Sequence, residues 1–168
     1  MSSDNGATPI TIQVIEAGVG DIPRLAPLFD AYRQFYEQAP DLPGAEAYLA
    51  ERLVRHESVI FFAEATTPTA SQTASAGFTQ LYPSFSSISM SPLWILNDLY
   101  VAPEFRRLGV GAALLARARS FAAGTGATGM VLQTAITNKS AQALYESLSW
   151  KRDELYYTYE LELKHSHP

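Results

Sequence analysis

The chain contains no cysteine. Disulfides are therefore excluded, and so is any covalent intermediate carried on a thiol. Charge is sparse: 12 basic and 17 acidic residues leave a formal net charge of −5. An acidic balance argues against nucleic acid or an anionic membrane as a partner. No apolar run approaches the length of a membrane span. The opening residues MSSDNGATP lack a basic n-region and an apolar h-region, so no secretory signal is expected and a soluble cytoplasmic protein is. His165 and His167 stand in a terminal tail without a Cys or carboxylate cluster, and no metal site is expected there. What the chain does have is hydrophobic side chains, 47% of 168 residues. That is enough for one domain with a sizeable core.

Periodicity and breakers divide the chain into a flexible lead-in over 1–9, a single domain over 10–163 and a flexible tail over 164–168. Ile10–Ile15 alternates as a strand. Asp21 is placed to cap a helix that has Pro23 in its first turn and runs to about Glu37. Pro40 and Pro43 break the chain, and Ala45–His56 reads as a second helix with His56 in its last turn. Ser58–Glu64 and Ala76–Tyr82 read as strands joined by a low-complexity loop, Ala65–Ser75. Pro83–Pro92 reads as a polar connector and Trp94–Val101 as a fourth strand. Gly109–Ala122 is a third helix, Gly129–Thr134 a short strand and Asn138–Leu148 a fourth helix. Leu155, Tyr157, Tyr159 and Leu161 alternate as one face of a final strand. The order β-α-α-β-β-β-α-β-α-β implies an α/β (α+β) mixed sheet, with antiparallel strands first and a parallel pair in the second half.

The stretch LNDLYVAPEFRRLGVGAALLARARSFA, Leu96–Ala122, carries the strongest chemical signal. A strand ends at Val101, Ala102-Pro103 breaks it, and Arg106-Arg107-Leu108-Gly109-Val110-Gly111 leads into an amphipathic helix. Two guanidiniums and two glycines at a helix N-terminus make an anion cradle, because the first amides are unpaired and the helix dipole favours negative charge. The loop is not a Walker loop, since the Gly-Lys-Ser/Thr ending is missing. It is a poor dinucleotide fingerprint too, since Leu114 stands where the third glycine belongs. That argues against a nucleotide-binding oxidoreductase. Downstream lies Asn138-Lys139-Ser140-Ala141-Gln142-Ala143-Leu144-Tyr145-Glu146, followed by Ser149-Trp150.

The first block closely resembles the Arg-x-x-Gly-x-Gly acetyl-CoA signature of the GNAT superfamily of N-acetyltransferases. The second resembles that superfamily's pattern of Asn, Ala, a few residues, Tyr and then usually Gly-Phe. The resemblance spans about Ile10 to Leu163 and implies a GNAT-like acyl-CoA acyltransferase fold, with acetyl-CoA as cosubstrate and no metal. It implies that Leu99, Tyr100 and Val101 offer backbone groups to the pantetheine arm. Arg106, Arg107, Leu108, Gly109, Val110, Gly111 and Ala112 would wrap the diphosphate. Asn138 would hold the pantetheine through its amide, or cap its helix, or both. Tyr145 would protonate the departing sulfur, the alternative being a core aromatic beside Leu144 and Leu148.

Acyl transfer to an amine also needs a base, because an alkylammonium has a pKa of about 10.4 and no lone pair. The segment LNDLYV resembles the LEDLYV-type strand of the diamine and thialysine acetyltransferase branch, whose Glu acts through water. Here Asn97 stands at that position and cannot usefully take a proton. Asp98 is the carboxylate left on the strand, as a base or as a structural hydrogen-bond partner. Ser149 departs from the usual glycine. The acceptor is expected to be a small-molecule or peptide amine, between walls drawn from Phe35, Tyr36, Tyr82 and Phe85, with Glu37 and Asp41 able to attract a cation. The reaction expected is direct transfer in a ternary complex, and a non-catalytic acyl-CoA sensor on the same fold is the alternative. A homodimer is compatible with the family.

Overall fold

The computed structural model describes residues 10–66 and 73–163. The lead-in, the centre of the Thr/Ser/Ala loop and the tail with His165 and His167 lie outside the described residues. The chain divides into two compact units, one ending at Gln133 and the other beginning at Thr134.

The first unit runs β1 (Thr11–Glu16), α1 (Ile22–Phe35), α2 (Leu42–Val54), β2 (Val59–Thr66), β3 (Ala74–Ser86), β4 (Ser91–Val101), α3 (Val110–Gly124) and β5 (Met130–Val131). Its sheet has the order β1-β2-β3-β4-β5. The first four strands pair antiparallel, and β4 and β5 pair parallel, as the sequence pattern implied. The run Val59-Ile60-Phe61-Phe62-Ala63 shows no polar alternation because β2 is covered on both faces. Ile60 and Phe62 join Leu25, Phe29, Leu49 and Phe78 in the core under α1 and α2. Phe61 points the other way and meets Phe121 of α3 at 5.4 Å between ring centroids.

Several boundaries differ from the sequence reading, each for a local reason. The Asp21 carboxylate accepts from the Gly18 N–H at 2.9 Å rather than capping α1. α2 starts three residues before the expected Ala45, because Asp41 caps it by accepting from the Gly44 N–H at 2.9 Å. Pro43 then sits in the first turn, where a missing N–H costs nothing. His56 lies beyond the end of α2 in left-handed backbone, φ 53°. The expected connector over Pro83–Pro92 is instead a long hairpin in which β3 and β4 pair out to Ser86 and Ser91. Pro83 is tolerated there because β2 pairs with β3 only as far as Leu81, leaving β3 one neighbour beyond that point.

The second unit holds α4 (Lys139–Ser147). The final strand expected near Leu155–Leu161 does not form, and residues 151–163 carry no regular structure. Asp153 Oδ1 accepts from the N–H groups of Leu155 and Tyr156 at 2.8 and 3.2 Å, an Asx turn that takes the donors a ladder would use. Leu155, Tyr157, Tyr159 and Leu161 are all exposed. α4 ends in a Schellman motif: the Ser149 N–H donates to Glu146 O at 3.1 Å and the Trp150 N–H to Tyr145 O at 3.0 Å. Tyr145 and Trp150 make the apolar contact of that motif, with ring centroids 6.1 Å apart. Ser149 occupies the left-handed position at φ 69°, which explains why glycine suits this place better.

Two stability changes follow. Ser149→Gly is expected to stabilise the fold by about 1 kcal/mol by removing the left-handed Cβ penalty, and a chemical-denaturation midpoint that fails to rise would contradict this. Gly77 lies where β3 and β4 close together, and an added Cβ would stand 2.5 Å from the Tyr100 carbonyl oxygen. Gly77→Ala should cost about 1–3 kcal/mol, whereas Gly20→Ala, with nothing within 4 Å of its Cβ, should leave the same midpoint almost unmoved.

Candidate active site

β4 has two unlike edges. Toward β3 it is paired from Ser91 to Val101. Toward β5 the ladder covers only Trp94 and Ile95, extended by Trp94 N–H to Gly129 O at 3.2 Å and Thr128 N–H to Pro92 O at 3.1 Å. From Leu96 to Val101 that edge has no strand partner among the described residues. Leu99 and Val101 therefore present backbone groups to a ligand with amides of its own, whereas Tyr100, expected to do the same, turns its N–H and C=O to Phe78 of β3.

The open edge runs straight into the Arg106–Gly111 loop. Arg107 and Gly109 both have left-handed backbone, φ 61° and 88°. Backbone that changes hand in this way makes a concave nest of N–H groups. Gly109 is the N-cap of α3 and supplies no capping side chain, so the first-turn amides of Val110, Gly111 and Ala112 have no cap. Arg106 behaves differently from its neighbour. Its Nε donates to Val101 O at 3.0 Å, and its guanidinium lies 5.9 Å from the Tyr100 ring centroid. Arg106 thus ties the end of β4 to the loop, while the amides and dipole of α3 form the anion cradle. These residues fit a diphosphate.

Further back on β4, Gln80 of β3 pairs with Asp98 and Leu81 with Leu96, so Asn97 is the extra residue of a β-bulge. Asn97 is exposed, and Asp98 is 4% exposed. Asp98 Oδ2 accepts from Gln80 Nε2 at 2.7 Å, and Oδ1 accepts from Asn97 Nδ2 at 3.0 Å. The Tyr32 hydroxyl of α1 is a third donor. Gln80 Nε2 also donates to the Tyr82 hydroxyl at 3.0 Å, which is 2.6 Å from the Tyr48 hydroxyl of α2. Burial raises the pKa of Asp98, with the donors from Gln80, Tyr32 and Asn97 opposing. Burial and then the nearby Asp98 charge raise Tyr32, and burial and then the Tyr48 hydrogen bond raise Tyr82, so both phenols stay protonated.

Of the expected acceptor walls, Tyr82 joins this network directly. Tyr36 packs edge-on to Tyr32 at 5.1 Å, and Phe35 packs on Tyr36 at 5.2 Å. Phe85, 81% exposed near the hairpin tip, does not. Asp41 is occupied as the α2 cap. Gln80, Tyr32 and Tyr48 were missed by the sequence reading; a bulge hides the register that sets Gln80 opposite Asp98, and the two tyrosines reach it from separate helices. In the second unit, Asn138 caps α4, its Oδ1 accepting from the Ala141 N–H at 3.2 Å. Tyr145 lies on the buried side of that helix at 9% exposure.

The profile of the acetyltransferase (GNAT) family matches residues 25–150. An N-acetyltransferase of Bacillus subtilis strain 168, YhfO, whose activity is uncharacterized, is 46% identical over 84% of this chain and 91% of its own. The crystal structure of a probable acetyltransferase superposes with a TM-score of 0.81 at 38% identity, covering 92% of this chain and 99% of the other. The fold is also that of an aminoglycoside N-acetyltransferase, AAC(6')-Iy, solved in complex with CoA: TM-score 0.73 at 17% identity, over 92% of this chain and 97% of that one.

The buried carboxylate has a consequence for stability. With its pKa raised, Asp98 binds a proton more tightly in the folded than in the unfolded chain. Between the ordinary carboxylate pKa and the raised one, the folded state carries the extra proton, so stability falls as pH rises through that window. Asp98→Asn keeps an acceptor for Gln80 and should lose that fall. Denaturant midpoints measured across the window should show the variant gaining on the native chain as pH rises; a constant difference would refute it.

Proposed function

We propose that this chain, which belongs to the acetyltransferase (GNAT) family, moves the acetyl group of acetyl-CoA to a primary amine by direct transfer in a ternary complex. The observation that carries the reading is the edge of β4 over Leu96–Val101, which has no strand partner among the described residues and runs into the uncapped, nest-forming start of α3. The backbone groups of Leu99 and the Val101 N–H, which point away from β3, would take the amides of the pantetheine arm. The amides of Gly109–Ala112, with Arg107 beside them, would hold the diphosphate. When bound, acetyl-CoA supplies the activated thioester, and the chain supplies placement and proton management.

Asp98 is the base in this reading. A carboxylate has about four acceptor positions, and three donors, from Gln80, Asn97 and Tyr32, meet Asp98. One position is left to draw a proton from the acceptor ammonium, through a single water because the carboxylate is buried. Its raised pKa moves it toward the working pH, which favours a base. Asn97 has no such capacity and acts instead as a donor that orients Asp98. Tyr145 would supply the proton to the departing sulfur, the role its match to the family's tyrosine implies. Overall the C–S bond breaks, the C–N bond forms, and the amine loses the protons that the thiol and bulk solvent take up.

The test is CoA release from acetyl-CoA across a panel of amines, with acetyl-CoA affinity measured by calorimetry. Tyr145→Phe should lower turnover by roughly 100-fold or more, the usual range for a general acid, with acetyl-CoA affinity largely kept. Unchanged turnover would remove Tyr145 from the acid role.

A further inference from the structure

We propose that the acceptor is a monocationic amine with an aromatic or alkyl body, its ammonium seated on the Asp98–Tyr32–Tyr82 cluster and its body against Tyr36 and Phe35. This rests on the acetyl-transfer reading above and names the substrate class of that site.

The site has two chemically distinct halves. One is a cluster of hydroxyls around a single carboxylate: Tyr32 and Gln80 bond Asp98, Gln80 also donates to Tyr82, and the Tyr82 hydroxyl meets that of Tyr48. A lone ammonium suits it, since the phenol oxygens accept its N–H groups, the carboxylate reaches it through one water and the tyrosine faces attract its charge. The other half is apolar. From Tyr32 outward the rings step to Tyr36 at 5.1 Å and to Phe35 at 5.2 Å, both edge-on. Tyr36 and Phe35 are 48% and 55% exposed, which is open aromatic surface next to a buried charge site. An acceptor with an apolar body covers those rings, and one with a polar body does not.

The surroundings disfavour a polycation. Asp30 is buried and already accepts from Arg33, Gln34 and the Asp41 N–H. Asp41 is the α2 cap. Glu37 is exposed, where water screens its charge. The Arg52 guanidinium lies over the Tyr48 ring at 5.1 Å and pairs with Glu51 and Glu57 at 3.0 and 2.8 Å, so the carboxylates at the outer end of the hydroxyl chain already have a cation. A second or third ammonium would find no free carboxylate of its own among these residues.

The experiment compares 2-phenylethylamine, hexylamine, spermidine and kanamycin as acceptors at saturating acetyl-CoA, reading CoA release. The two monoamines should exceed spermidine and kanamycin in kcat/KM by about tenfold or more. Tyr36→Ala should raise the KM for 2-phenylethylamine about 5- to 20-fold with little change for spermidine, while Tyr36→Phe, which keeps the ring, should stay near the native value. Acetyl-CoA binding by calorimetry reports that each variant is folded. Preference for spermidine or kanamycin, or an equal loss on every amine in Tyr36→Ala, would overturn the assignment. Tight acetyl-CoA binding with no turnover of any amine would instead overturn the transferase reading beneath it.

Discussion

The structure depends on a strand that is paired on one side and abandoned on the other. β4 is held to β3 along its whole length, yet it leaves β5 after Ile95. A strand edge left unpaired in a protein interior is costly, because each main-chain N–H and C=O needs a partner. The arrangement is stable only if water or a ligand serves those groups. A ligand that carries amides along its length can take the place of the missing strand. The same parting delivers the chain at Val101 into a loop that must turn sharply to begin α3, and Arg107 and Gly109 make that turn in left-handed backbone. The open edge and the cradle are thus one feature, and Arg106 fixes their junction by bonding the last carbonyl of the strand.

The bulge in β4 sets the electrostatics. Without the extra residue at Asn97, the register would not put Asp98 opposite Gln80. With it, a carboxylate is buried between β3 and β4 and held by side chains from two strands and one helix. Gln80 gives both amide hydrogens to this network, and its Oε1 is buried with no hydrogen-bond partner among the described residues. An unmet acceptor of that kind costs about 1–3 kcal/mol. The amide cannot turn round to relieve it, since that would set two acceptors, Oε1 and the Asp98 carboxylate, against each other. The chain accepts a local loss in order to hold one carboxylate in one orientation. That is the pattern of a site whose geometry matters more than its own stability.

How much of this was legible in the sequence depends on how local each feature is. The Arg106–Gly111 cradle is six consecutive residues, and its glycines, cations and following helix state their own purpose. The Asn138–Tyr145 block is one helix with its cap, and the structure shows Asn138 capping it. The mixed sheet and its parallel pair followed from strand–helix order. The hairpin past Pro83 was not legible, because proline marks a break unless the strand has only one neighbour there, and neighbours are not written in the sequence. The expected last strand failed for the converse reason: its alternation was real, but an Asx turn at Asp153 takes its first donors. Gln80, Tyr32 and Tyr48 were silent, since nothing local sets them apart from ordinary strand and helix residues.

This difference between local and assembled features separates the two halves of the candidate site. Under the acetyl-transfer reading the donor half is written in one stretch of chain, and the ligand class proposed for it rests on amide and dipole geometry. The acceptor half is assembled from α1, α2, β3 and β4. Its character lies in which side chains those elements happen to bring round one carboxylate. Changing a single ring on α1 alters what that carboxylate is offered without touching the strand edge or the loop. The identity of the acceptor must therefore be argued from Tyr32, Tyr36, Tyr48 and Tyr82 around Asp98, and not from a resemblance along β4, where Asn97 already departs.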